Sequence, residues 1–175
     1  MLRAAEAPII RDLGAAGVSV SSVWDLVNTS EPYPDALPVL ISHLERGGYP
    51  DRVMESVGRA LAVKPAVIFW ERLRSLYLRA REEGERTGLA VALAASATSA
   101  HAAGLLDLVR RPELGESRIL LLSALKRARG RQGKECLAEF ADDPVLGREA
   151  RSLLKTRTTR DASGTARSPG TERDG

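Results

Sequence analysis

Residues 36–61 read ALPVLISHLERGGYPDRVMESVGRAL, and this stretch decides the fold. Leu37, Leu40, Ile41 and Leu44 fall at i, i+3, i+4 and i+7, the spacing that lays one apolar stripe along a helix. Gly47-Gly48 ends that pattern and Pro50-Asp51 opens another, in which Val53, Val57, Ala60 and Leu61 fall at i, i+4, i+7 and i+8. An Asp at a helix start can accept orphan backbone amides, and a Pro in the first turn loses no hydrogen bond. The stretch therefore reads as two helices joined by a tight connection, each greasy on one side.

Both patterns recur along the chain. The first, here called A, returns at Glu6/Ile9/Ile10/Leu13, Ala102/Leu105/Leu106/Val109 and Gly133/Cys136/Leu137/Phe140, and Pro8 places the start of the first helix near itself. A longer A helix is expected from Pro65 to Glu83, carrying Ala66/Phe69/Trp70/Leu73 and then Leu76, Tyr77 and Ala80. The second, B, returns at Ser19/Val23/Leu26/Val27, Glu85/Leu89/Ala92/Leu93, Ser117/Leu121/Ala124/Leu125 and Leu146/Ala150/Leu153/Leu154. The B starts differ by 34, 32, 32 and 29 residues, which is a repeat period. Five helix pairs follow, over residues 1–155. Composition agrees, because 25 Ala and 24 Leu against 12 Val and 5 Ile favour helix over sheet.

Net charge is +3, yet residues 1–150 hold 20 basic and 20 acidic side chains, so the surplus comes from residues 151–175. Neutrality of the folded region removes the main electrostatic reason to expect tight, sequence-independent nucleic-acid binding. One cysteine, Cys136, excludes an intrachain disulfide and a cysteine-based zinc site, and fits a reducing, cytoplasmic setting. Charged residues within the first fourteen positions leave no signal segment. Thr87 to Leu106 carries no full charge over a membrane-spanning length, but its Ala, Ser, Thr and Gly content and the capping pair Thr98-Ser99 argue for helices of a soluble fold. Residues 156–175 lack Leu, Ile, Val and aromatics, and are expected to form a disordered polar tail in which Arg157, Arg160, Arg167 and Arg173 can adhere weakly to acidic surfaces.

The paired stripes, the 32-residue spacing and the segments Ala36-Leu37-Pro38-Val39-Leu40-Ile41, Pro50-Asp51-Arg52-Val53 and Ala124-Leu125 resemble HEAT-like repeats of the HEAT and armadillo type. The resemblance covers residues 1–155 and implies an all-α, right-handed α-solenoid of about five antiparallel helix pairs, with the B helices on the inner face. The long third A helix and the missing Val-Arg start of most B helices depart from the HEAT pattern, and leave an armadillo or other right-handed helical repeat open.

At 100 degrees per residue, the solvent side of the B helices is expected to show Trp24, Glu55, Arg59, Val91, Ile119, Leu122, Arg148 and Arg151. Val91, Ile119 and Leu122 form an apolar centre between Trp24 at one end and Arg148/Arg151 at the other, the layout of a protein-binding strip with an aromatic anchor. The competing reading is that curvature closes this groove and the same side chains pack on their neighbours.

Catalytic motifs are absent: there is no phosphate-binding Gly-rich loop and no zincin motif, and Gly115-Glu116-Ser117-Arg118-Ile119 lacks the closing Gly of a nucleophile elbow. His43 and His101, 58 positions apart, read as surface or capping residues, Cys136 and Trp70 as core, and Glu82-Glu83-Glu85 and Asp142-Asp143 as helix-start carboxylates. Lys126, Arg127, Arg129, Arg131 and Lys134 read as a solvated helix end before they read as a phosphate site. The expected function is a non-catalytic scaffold or adaptor, without cofactor or metal, that binds a protein or peptide along the B face. Two alternatives remain: nucleic-acid binding through Arg127, Arg129, Arg131 and the basic tail, and self-association through the apolar strip.

Overall fold

The computed structural model describes residues 2–155, and among these every regular element is helical. The α-helices are α1 (Leu2–Ala15), α2 (Val23–Asn28), α3 (Ala36–Arg46), α4 (Asp51–Ala60), α5 (Trp70–Arg79), α6 (Glu83–Ser96), α7 (Ala102–Val109), α8 (Ile119–Ala128), α9 (Gly133–Ala138) and α10 (Gly147–Lys155). Short 3-10 segments, Lys64–Phe69, Ser99–His101, Pro112–Arg118 and Gly130–Gln132, lead into α5, α7, α8 and α9. The odd-numbered helices carry the A pattern and the even-numbered ones the B pattern. The expected tail, 156–175, lies outside the described residues.

Helix boundaries follow local chemistry. Gly47 and Gly48 stop α3 with φ of 63° and 80°, a left-handed region that other residues enter at a cost. Ser22 and Asp25 form a reciprocal capping box at α2. Thr98 and His101 form another at the entry to α7, which gives His101 its expected capping role. Two expected boundaries were different. Pro8 lies inside α1, because Glu6, upstream of it, is fixed: its carboxylate accepts from the Ser22 hydroxyl at 2.8 Å and the Val23 amide at 3.3 Å. The long A helix is split, with 3-10 backbone up to Phe69 and an extended Ala80 ending α5 at Arg79.

Each helix packs on its pair mate, and the B helices also form a continuous series in which α2 meets α4, α4 meets α6, α6 meets α8 and α8 meets α10. The α4–α6 contact is the most extensive, and glycine is the cause. A Cβ on Gly58 would lie 2.6 Å from the Gly88 carbonyl carbon, and one on Gly88 2.6 Å from the Glu55 oxygen, so the two backbones touch with no side chain between them. From Gly84 to Ala97 no residue is exposed, and this enclosure accounts for the uncharged run that begins at Thr87. No described helix is long and apolar enough to cross a membrane. Asp51 reinforces the junction by accepting the Gly84 and Glu85 amides at 2.8 and 2.7 Å, so α6 is capped by the neighbouring helix rather than by its own Glu82.

Trp70, 2 % exposed, is the expected core residue; its indole donates to the Leu93 carbonyl, its ring stacks on His101 at 4.4 Å, and Gly104 sits against it where a Cβ would not fit. Along the A helices, side-chain pairs bridge one helix to the next at repeat spacing: a hydrogen bond, Asp12–His43 at 3.1 Å, and three ion pairs, Glu45–Arg72 through two bonds at 2.7 and 2.6 Å, Arg74–Asp107 at 2.9 Å and Arg110–Glu139 at 2.6 Å. Exposed pairs of this kind are worth about 0–1 kcal/mol each, so they align the helices more than they hold them.

His43 corrects the surface assignment: it is 2 % exposed, with one ring nitrogen facing the Tyr49 hydroxyl at 2.6 Å and the other facing Asp12. Its place on the buried stripe side of α3, next to Leu44, overrides its polarity. Burial, aided by Arg46, pushes the imidazole below its ordinary value of 6.5, while Arg11, with help from His43, holds the Asp12 carboxyl low.

The glycine crossing can be tested by substitution. Gly58→Ala gains about 1 kcal/mol of helix propensity, yet it must push the α4 and α6 backbones apart and is expected to lose about 1–3 kcal/mol net in urea unfolding. Gly14→Ala, whose Cβ meets nothing within 4 Å, is expected to gain up to about 1 kcal/mol; equal effects at the two positions would refute the close crossing. For His43, the unfolded chain takes up a proton near the ordinary pKa that the folded state resists, so stability is expected to fall as pH drops below 6.5. His43→Gln is expected to flatten that decline between neutral and mildly acidic pH, and an unchanged slope would count against the buried neutral ring.

Candidate binding face on the B helices

The eight residues expected on the B face are distributed unevenly. Trp24 is half-buried on α2, and its carbonyl accepts from the Asn28 amide. Glu55 and Arg59 pair with each other at 2.8 Å along α4, which neutralises both charges locally. Val91 is half-buried on the enclosed α6, and Ile119 is half-buried at the start of α8, packed on the core. Arg148 and Arg151 are exposed on α10, as expected, with Arg151 donating to the Ala141 carbonyl.

Leu122 is a correction. It is 0 % exposed, so the greasy centre of the strip is not open there. The cause is geometric: α8 is bordered by α6, α7, α9 and α10, and a helix with neighbours on several sides buries a wider arc than a single stripe. Its exposed residues are Leu120, Ser123 and Arg127; Leu120 and Ser123 each follow the expected Ile119 and Leu122 by one position, a rotation of about 100 degrees. Leu120, 39 % exposed, is the apolar residue that helical-wheel reasoning missed.

The B face thus has an enclosed middle and an open end. On α8 and α10 the exposed side chains are Leu120, Ser123, Arg127, Arg148, Arg151, Ser152 and Lys155, with no exposed carboxylate among them. Beside Leu120 lies an open hollow of about 580 Å³ between α6 and α8, lined by Leu114, Ile119 and Leu120 together with Arg81, Glu83, Arg86, Thr87, Glu116 and Ser117. A second hollow of about 590 Å³, between the ends of α3 and α5, is lined by Tyr49, Met54 and Leu76 together with Glu45, Asp51, Arg79, Arg81, Glu82 and Glu85. Burial, reinforced by Asp51, raises the Glu85 carboxyl above its ordinary value.

The cation-rich segment after Leu125 is attached to helix ends. Arg127 donates to the Ala94 carbonyl at 2.7 Å and Lys126 to the Leu153 carbonyl at 2.6 Å, so each reaches the C-terminal turn of an adjacent B helix. Arg129 is half-buried, with its Nε enclosed, and Arg131 is exposed. Arg118, 3 % exposed, donates to the Gly115 and Val109 carbonyls and stands 3.8 Å from Asp143, which itself caps α10 through the Val145 and Leu146 amides. Cys136 is buried, and burial raises its thiol. Among the described residues no group of three or more His, Cys, Asp or Glu is placed to hold a metal ion.

The rotation of α8 has a direct test. Leu122→Ala is expected to cost about 2–5 kcal/mol of unfolding free energy, as for other fully buried leucines, whereas Leu120→Ala is expected to cost well under about 1 kcal/mol. Similar losses in chemical denaturation would place both leucines on the same side. Among known proteins, no family model, curated protein or solved structure matches this chain.

Proposed function

We propose that the chain is a non-catalytic scaffold or adaptor, a right-handed HEAT-like solenoid of five antiparallel helix pairs that engages a protein partner through its B-helix face. The observation that carries this reading is the cluster of cations and an exposed leucine on α8 and α10 at one end of the B series. Along the A helices, Glu45–Arg72, Arg74–Asp107 and Arg110–Glu139 bridge successive helices, while Arg3, Arg46, Arg79 and Lys134 stay exposed there. On α8 and α10 of the B series, Arg127, Arg148, Arg151 and Lys155 have no carboxylate within ion-pair distance among the described residues, and Leu120 of α8 is exposed and lines the hollow. The ordered succession of B helices supports the solenoid, since each pair then buries its stripe on the next.

Nucleic-acid binding through Arg127, Arg129 and Arg131 is less well supported. Arg129 is half-buried, and the two exposed cations, Arg127 and Arg131, are too few to track a phosphate backbone. The proposed occupant is a polypeptide, and the protein is expected to act by holding it.

A photo-crosslinking residue placed at exposed Ser123 on α8 is expected to capture a partner in extracts of the native host, while the same residue at exposed Ser42 on α3 captures none. Adducts at neither position, or equally at both, would contradict a B-face scaffold. An adduct of twice the chain's mass would assign the face to self-association.

A further inference from the structure

We infer that the open end of the B face, on α8 and α10, docks an acidic segment of a partner polypeptide, with its carboxylates on the arginines and an aliphatic side chain on Leu120. This rests on the scaffold reading and specifies its partner. Charge is the first support. From Ile119 to Lys155 there are eight Lys and Arg against five Asp and Glu, and two of those five acids are already engaged, Glu139 by Arg110 and Asp143 by two backbone amides and Arg118. Arg148 and Lys155 are seven residues apart, two turns along one side of α10, and both are exposed with no hydrogen bond or ion pair among the described residues.

The cations fixed to carbonyls retain most of their charge. A helix C-terminus presents about half an elementary negative charge, so Arg127 at the end of α6 leaves that corner positive. The same interaction holds the guanidinium in place, and an already ordered cation loses less entropy when an acid binds.

The face also discriminates between acidic partners. A nucleic-acid track needs a long row of cations and, for single strands, exposed aromatic platforms; here the cations cover the ends of two short helices, and Trp70 is buried while Trp24 lies at the opposite end, on α2. The exposed Leu120 and the apolar side of the hollow, Leu114 and Ile119, suit an aliphatic side chain rather than a base. Rows of Glu or Asp interleaved with Leu meet both demands.

Fluorescence anisotropy on the full chain tests this with a labelled peptide of alternating Glu and Leu, its Gln-for-Glu counterpart, and a DNA duplex of matched length. The Glu peptide is expected to bind at least about tenfold more tightly than the Gln peptide, and to weaken as salt rises from about 50 to 200 mM. Paired Arg148→Glu and Lys155→Glu substitutions, at surface positions that leave the fold intact by circular dichroism, are expected to abolish the preference for Glu, whereas Arg52→Glu, exposed on α4, leaves it unchanged. Equal binding of the two peptides, tighter binding of the duplex, or indifference to the paired charge reversal would overturn the acidic-segment proposal. If crosslinking at Ser123 persists while the Glu peptide is not preferred, the partner class is wrong and the scaffold stands; if both fail, both readings fall.

Discussion

The backbones of α4 and α6 touch at Gly58 and Gly88, and this contact sets the position of much else. Because nothing larger than hydrogen separates them, α6 is drawn fully into the middle of the B series, with no exposed residue from Gly84 to Ala97. Close approach also brings the Asp51 carboxylate to the first amides of α6, so one helix supplies the cap of the next. On the far side, α8 packs on α6 and carries α10, and these two helices offer the open end of the face.

The electrostatics divide in the same way as the packing. Glu45, Asp107 and Glu139 on the A side each meet an arginine from a neighbouring A helix, and the arginine bonds to Glu45 and Asp107 hold those carboxyls below the usual range. Acids consumed there are not available to the B side. A chain that is neutral through residue 150 can still show a locally basic surface on α8 and α10, because the exposed residues of those two helices include cations and no carboxylate.

Much of this was legible in the residues. Apolar spacing located ten helices and most of the core, since burial of a one-sided stripe leaves a direct periodic trace, as at Leu37/Leu40/Ile41/Leu44, all buried. Breakers such as Gly47-Gly48 and Pro50 marked boundaries correctly, because they act through their own backbone. The readings that failed depended on a second chain segment. Leu122 is buried by helices far from it in sequence; His43 is buried between partners 31 positions before and 6 after; Pro8 is tolerated because Glu6 is anchored to Ser22. The polar side-chain pairs between A helices, separated by 27 to 33 residues, carried a signal at the repeat period that an apolar stripe does not register.

The caps show how such a chain couples its helices. A helix that caps itself gains stability whether or not its neighbours are in place, but α2 takes an acceptor from Glu6 of α1 and α6 takes two from Asp51 of α4. At the other end of the B helices, Arg127 of α8 serves the carbonyl of α6, and Lys126 serves that of α10. These termini are thus fully satisfied only when the neighbouring helix is folded. In the proposed solenoid, stability is a sum of weak pair energies and strong interface energies, and short helices such as the six-residue α2 and α9 persist because their ends and stripes belong to their neighbours.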